Sequence, residues 1–523
     1  MPTLIDALRI MGQAGWARDV GAHLSLCRSL AGDGELLASI VNVPGAGGKL
    51  RLQHAALTGN LARLRVLIAA GARTRSFAAL EELARGGVAL PRAVALMGAF
   101  SDDAAVVALA VRALGRKAYD EEKCEALIEA GAVAALVAVV RKSYATCYNV
   151  VVFELLLRAF DFFLLSRCGR EYFDDFFSPL FLLAGLPMAQ MSSNSARHLV
   201  SAIHSLALDE DNLDDLIDYE APSVLTGLLR QPSITSCALA AAAACKCLSA
   251  LASSEFGCEV CLEAEAPAAL AALAGTPLAL GSADLAAQIA SALFVLMSSE
   301  DGDEGIDVSA LAALVAFVRQ PPIQKNEYAM YCVACVLAKA TESDIGAEDC
   351  VEAGIASALI ALAVGLPAAY DCAATLDKIV LAIYNISRFE AGAESLLEAG
   401  ASDALVALAT TMFSASTVIG VAGALGFLFL RAAADSDGQD VLLEAKAPAA
   451  LVWLTGYTAV QLSAPSIDRI AWAIMAFSCS DDGMQACVNA GAKAALQMFA
   501  SLPALEEDAA ARAQVARTLL CFK

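Results

Sequence analysis

The sequence predicts an all-α fold assembled from repeated helical units, on three observations. Apolar residues fill 58% of the 523 positions while aromatic residues fill only 6%, and a chain rich in Ala, Leu and Val with few aromatics favours helix over strand. A 14-residue string recurs along the chain, and its copies keep a nearly constant period. The same composition excludes other classes. With 18% charged residues the chain is not intrinsically disordered. Its 15 Pro and 35 Gly remove collagen-like and low-complexity classes. A net charge of −22 disfavours a general nucleic-acid binder, which needs cations to neutralise phosphates. Length alone suggests three or four domains.

The recurring string is LIEAGAVAALVAVV from Leu127. It returns as CLEAEAPAALAALA from Cys261, CVEAGIASALIALA from Cys350, LLEAGASDALVALA from Leu396, LLEAKAPAALVWLT from Leu442 and CVNAGAKAALQMFA from Cys487. Each copy has an acidic residue or Asn as an anchor and a core Leu seven positions later. Clear anchors are Glu129, Glu263, Glu352, Glu398, Glu444 and Asn489. Weaker copies stand at Asp175 with Leu182, Asp218 with Leu225 and Glu304 with Leu311. Successive anchors lie 41 to 48 residues apart, a period that points to stacked helical repeats.

Local chemistry predicts where each unit breaks. Gly131, Gly354, Gly400 and Gly491 stand two after their anchors, which suits a left-handed residue ending a first helix. Pro179, Pro222, Pro267 and Pro448 stand four after theirs, which suits the opening of a second helix, where no backbone donor is needed. The unit at Glu304 has neither, so its first helix is expected to be truncated. A further Gly lies six before most anchors, at Gly169, Gly257, Gly346, Gly392, Gly438 and Gly483, with Asn212 in that place before Asp218. These are expected to take positive φ and end the preceding long helix. Each unit thus reads as short, medium and long helix.

The EAGA-x-x-ALVALA strings and the AIYNIS segment from Ala382 to Ser387 resemble the armadillo repeat family. The resemblance spans residues 84–523, as nine to ten repeats. It implies an armadillo-type α-solenoid, a right-handed superhelix of three-helix repeats whose third helices line a concave groove. Residues 1–83 read as an N-terminal helical cap. Within it, LRLQHAALTGNLARLRVLIAAGA from Leu50 is similar to one ankyrin repeat, spanning about residues 50–75. A single such unit cannot bury its own face, so it is expected to stack on the first armadillo units.

The resemblance also implies which positions face the groove. One third-helix position, often Asn in the family, falls here at Arg116, Phe162, Ser205, Ala250, Val295, Val336, Asn385, Arg431 and Ala476. Only Asn385 matches, and the family's Trp one turn earlier survives only as Trp472, which argues against a nuclear import adaptor. Four residues before those positions lie Arg112, Arg158, Ser201, Lys246, Ser291, Cys332, Leu381, Phe427 and Trp472. The candidate partner-binding residues are therefore Arg112, Arg116, Arg158, Lys246, Asn385, Phe427, Arg431 and Trp472. Arg112, Arg116, Arg158 and Lys246 either pair with carboxylates of adjacent repeats or attract an acidic peptide. The apolar C-terminal half is either core packing or a surface for an amphipathic partner helix.

No catalytic, cofactor or metal motif is expected. The four His are His23, His54, His198 and His204, and the last two do not share ligand spacing on one helical face. The loop VPGAGGK from Val43 lacks the strand, the spacing and the Ser/Thr of a phosphate loop. Cys258/Cys261 and Cys332/Cys335 form CxxC pairs and Cys245/Cys247 a CxC pair. They read as structural thiols, with a zinc or redox role centred on Cys245, Cys247, Cys258 and Cys261 as the alternative. The acidic runs from Asp209, Glu300 and Thr341 read as solvated edges without EF-hand spacing.

The N-terminus shows no secretory signal, Pro2 excludes myristoylation and the final CFK is too short for a prenylation box. The sixteen Cys then suggest a reducing, cytoplasmic compartment. The uncharged stretches Ala404–Leu430 and Ala447–Ile467 are long enough to span a bilayer. Polar residues, Gly456 and Pro465 interrupt them, so no membrane span is expected. The function implied is a non-catalytic protein-interaction scaffold binding a protein or peptide segment. A chaperone-regulating armadillo protein is the alternative within the family.

Overall fold

A computed structural model describes residues 104–118, 120–142, 149–170, 173–186, 192–298, 308–365, 373–411, 414–432 and 436–523, with Val94 and Ala189 isolated. The cap, the ankyrin-like segment, the start of the repeat near residue 84 and the Glu304 joint lie outside the described residues. Everything described is helix or turn, with no strand. The chain divides into two compact units, residues 1–224 and 225–523, the division falling inside the helix Ala221–Leu229.

Among the described residues ten long helices recur. Unit 1 holds α1 (Ala104–Ala118), α2 (Val150–Leu165) and α3 (Ser193–Leu206). Unit 2 holds α4 (Ala238–Leu251), α5 (Ala283–Met297), α6 (Glu327–Ala340), α7 (Ala373–Ser387), α8 (Ala415–Arg431), α9 (Ala464–Phe477) and α10 (Ala509–Cys521). A side chain begins most of them by accepting an orphan backbone N–H. Asn149 accepts from Val151 and Val152, Ser282 from Leu285, Asn326 from Ala329, Ser414 from Thr417 and Asp508 from Ala511.

In unit 1, α2 packs against both α1 and α3. In unit 2, each helix from α4 to α10 packs against the next. The second helices form their own row. In unit 2 it runs through Ala266–Ala274, Val308–Val318, Ile355–Gly365, Ala401–Ala409, Ala447–Leu454 and Ala492–Phe499, each touching its successor. First helices pair as well, for example Asp344–Glu352 with Glu390–Glu398. A helix buries only a stripe, and stacking like units lets each stripe cover the next. The anchor-plus-seven leucines fill the core: Leu136, Leu225, Leu270, Leu359, Leu405, Leu451 and Leu496 are 0% exposed. Burying each contributes about 2–3 kcal/mol.

The joint between first and second helices is left-handed at Gly131, Gly354, Gly400 and Gly491, as expected. It is left-handed also at Glu220, Glu265 and Lys446, where Pro rather than Gly marks the repeat. Pro222, Pro267 and Pro448 each stand in the first turn of a second helix. Pro179 does not. It lies inside one continuous helix, Phe173–Ala184, and Leu182 is 53% exposed while Leu180 and Leu183 are buried. The joint position there is Phe177, fully buried and stacked on Tyr219 at 5.0 Å. A left-handed turn at such a residue costs about 1–2 kcal/mol, so the helix runs on and its inward face shifts.

The glycines six before the anchors do not end the long helices, and none has positive φ. They sit in the first turn of the first helix. A Cβ at Gly169, Gly346, Gly392 or Gly483 would fall onto the carbonyl oxygen of Phe163, Ala340, Ile386 or Phe477, so close approach is what excludes a side chain. Asn212 likewise has ordinary φ, and its amide donates to the equivalent carbonyl, Leu206 O, at 3.2 Å. The chain turns instead at an extended Ser: Ser254, Ser343 and Ser480 each accept the N–H of the Gly three residues on at 3.1 Å.

Single helical turns that no sequence pattern announced join second to long helices at Pro232–Thr235, Pro277–Gly281, Pro321–Gln324 and Thr458–Gln461. Both long uncharged stretches are broken. The first is split between Ala401–Ala409 and α8, the second among Ala447–Leu454, Thr458–Gln461 and α9. Among the described residues no helix is long and apolar enough to cross a membrane.

Candidate partner-binding surface

In unit 1 the long helices carry a chain of contacts that joins three arginines. Gly115 on α1 lies against α2: a Cβ there would sit 3.5 Å from Ala159 Cα and 3.7 Å from the Phe162 ring. Arg112, one turn before Gly115 on the same face, is exposed. Arg158 is exposed too, and its guanidinium lies 5.1 Å over the Phe162 ring, a cation–π contact that orients it. Phe162 meets His198 of α3 edge-on at 6.3 Å, and the exposed Arg197 places Nη2 3.5 Å from His198 Nε2. Arg112, Arg158 and Arg197 form no salt bridge with any described carboxylate. The side chain of Arg116 lies outside the described residues.

Beneath them, His198 Nδ1 and Asp161 Oδ2 are 2.7 Å apart, with both side chains buried. Sequence spacing weighed His198 only against His204 and missed this partner. The signal was there: Asp161 is a lone carboxylate in the apolar run AFDFFLL, and a carboxylate buried in such a run needs a partner. Asp161 Oδ1 has no hydrogen-bond partner.

Unit 2 distributes its candidates differently. Lys246 is exposed on α4. Asn385 is not on a surface. It is 5% exposed and donates to Thr341 Oγ1 at 3.3 Å, tying α7 to the end of α6. Val336 is fully buried core. Arg431, exposed at the end of α8, donates to the Arg388 carbonyl at 2.8 Å. It lines a cleft of about 290 Å³ with Glu390, Glu394 and Glu398, apart from the other candidates. Phe427 and Trp472 do meet, at 4.7 Å between rings, and Tyr384 joins them at 5.8 Å from Phe427. All three are half-buried. Arg469, which no sequence pattern singled out, lies 5.4 Å over Tyr384 and 5.5 Å over Trp472. Its position three before Trp472 on one helix face was the only available signal.

The cysteines of the CxC and CxxC pairs settle into the core. Cys245 and Cys247 are fully buried, and burial pushes both thiols well above their ordinary range. Burial pushes Cys261 to about 12, with the neighbouring Cys258 adding to the shift. Cys258 Sγ donates to Leu296 O at 3.5 Å. A thiol buried and held protonated is a poor nucleophile. Among the described residues no three His, Cys, Asp or Glu side chains converge to hold a metal.

No protein-family model and no curated protein matches the chain. Among solved structures it is similar to the crystal structure of an engineered protein, a Northeast Structural Genomics Consortium target, with 19% identity and a TM-score of 0.57. That likeness covers 83% of this chain and 99% of that one. It shows the fold alone, an all-helical, repeat-like stack. A second engineered protein from the same consortium has 17% identity and a TM-score of 0.37 over 58% of this chain and 98% of its own, and carries no argument.

Proposed function

We propose that the chain is an armadillo-type, right-handed α-solenoid that works as a scaffold without catalysis of its own, binding an acidic partner segment on its long helices. The rows of like helices with left-handed joints support the solenoid reading. One observation carries the binding reading: in a chain of net charge −22, Arg112, Arg158 and Arg197 stand exposed on consecutively packed helices with no described carboxylate paired to them. Surface cations in an acidic protein ordinarily find a carboxylate, and those that stay unpaired steer an anionic partner. The half-exposed rings of Tyr384, Phe427 and Trp472 favour an apolar side chain as a second contact on unit 2. The buried, protonated thiols fit residence in a reducing, cytoplasmic compartment.

The test is a fluorescence-anisotropy titration of the full chain with a labelled oligoglutamate peptide. Binding should weaken steadily as salt rises. The double change Arg112→Ala, Arg158→Ala should weaken it about tenfold, since two charge contacts of roughly 0.7 kcal/mol each sum to that factor. Arg319→Ala, which removes a charge bonded to Ser357, should change nothing. Salt-independent binding, or binding indifferent to the double change, contradicts the proposal.

A further inference from the structure

Arg469 is held in an unusual way. It leaves α9, crosses α8 and reaches α7, so that its guanidinium lies over both the Tyr384 and the Trp472 ring. Two glycines of α8 make the crossing possible. A Cβ at Gly423 would sit 2.5 Å from Tyr384 Cε2 and 3.4 Å from Arg469 Cδ, and one at Gly426 would sit 2.5 Å from Trp472 Cζ3. Phe427 closes the group by packing on Trp472 at 4.7 Å. Long cationic side chains ordinarily extend into water. This one is fixed between a ring on α7 and a ring on its own helix, and fixing it carries a side-chain entropy cost that two cation–π contacts offset.

What the cation lacks is an acid. Arg469 forms no salt bridge among the described residues, and its Nε is buried without a hydrogen-bond partner. Asp468, its chain neighbour, feels the charge but makes no bond to it. A guanidinium stripped of water on one side and oriented by aromatic faces is a preorganised donor fork for a planar anion. The surrounding half-exposed rings offer apolar area beside it. The two features together fit one kind of occupant.

We propose that Arg469, Tyr384, Phe427 and Trp472 form a docking site for a partner segment bearing a carboxylate side chain next to a large apolar one. The carboxylate accepts from the guanidinium, and the apolar side chain covers the Phe427–Trp472 edge. The proposal rests on the reading that the long helices of unit 2 meet a partner, and it names the chemistry of that contact.

The test uses the full chain and three synthetic peptides that differ only in their recurring pair: Glu–Phe, Gln–Phe and Glu–Ser. On the unaltered protein the Glu–Phe peptide should bind at least tenfold more tightly than either of the others. In the Arg112→Ala, Arg158→Ala background, Arg469→Met and Arg469→Gln, each verified as folded by circular dichroism at the assay temperature, should abolish the preference for Glu over Gln and keep that for Phe over Ser. Arg112→Ala with Arg158→Ala should leave both preferences intact, so that failure of the unit 1 reading is seen separately. Equal binding of the Glu–Phe and Gln–Phe peptides overturns the proposal. So does a Glu preference that survives both Arg469 variants, or one already lost in the Arg112/Arg158 variant.

Discussion

Gly392 and Gly227 make opposite demands on an added methyl group. At Gly392 a Cβ would meet the Ile386 carbonyl and lie 2.6 Å from Ile386 Cγ2, whereas at Gly227, inside the helix Ala221–Leu229, nothing lies within 4 Å. Gly392→Ala should therefore destabilise by about 2–3 kcal/mol, because backbone must move. Gly227→Ala should stabilise by about 1 kcal/mol through helix propensity. Denaturant midpoints of the two variants check this pair. Burial raises the carboxyl of Asp468, and Asp508 adds to the shift, while Arg469 and Arg517 oppose it. The folded state thus holds that proton more tightly than the unfolded one. Stability from this group is full below the ordinary carboxylate range and is lost as pH rises through the raised folded value. Asp468→Asn should accordingly raise the melting temperature at pH 7 and lose its advantage near pH 3. The thiols add a chemical readout. Cys479 and Cys521 are exposed, whereas burial lifts Cys350 and Cys487 to about 12. Iodoacetamide at pH 8 should modify the first two in the native protein and reach the others only in denaturant.

At the scale of the element, the joint between first and second helices is the clearest case of legible local chemistry. Gly two after the anchor, or Pro four after it, marked the break, and all four Gly and three of the four Pro positions behave so. The failure at Pro179 traces to Phe177, buried at the joint position, and the conformations of the six first-helix glycines have a separate cause. A letter in the sequence does not say whether Gly answers a need for positive φ or a need for space, and only the packed carbonyl beside it decides. The joint also predicts its own improvement. Lys446 is left-handed at φ 66°, so Lys446→Gly should gain about 1 kcal/mol by removing the Cβ strain. Ser343→Ala removes the group that accepts the Gly346 N–H and should lose about 1 kcal/mol. Thermal melts of both single variants read the two signs. The candidate surface was less legible. Periodicity placed Arg112, Arg158, Phe427 and Trp472 on long helices, but it equally placed Asn385, which the core absorbs through Thr341. Arg469 and the Asp161–His198 pair were invisible to it, because each depends on a partner more than thirty residues away on another helix.

For the whole molecule, the repeat period and the apolar composition were enough to read an all-helical stack, since each unit repeats one solution to burying its stripe. They were not enough to say which row of helices meets a partner. The proposed choice of row rests on charge: the long helices α1 to α3 keep arginines that no described carboxylate neutralises. The row of second helices offers a contrasting surface, where Trp453 is 60% exposed and bonds Tyr457. The decisive measurement is site-specific photo-crosslinking in the native cell, with benzoylphenylalanine placed at Phe162 on α2 in one variant and at Trp453 in another. Adducts of a discrete partner from position 162, diminished by Arg112→Ala with Arg158→Ala and absent from position 453, are the predicted result. Adducts from position 453 with none from 162, or none from either, would contradict the account.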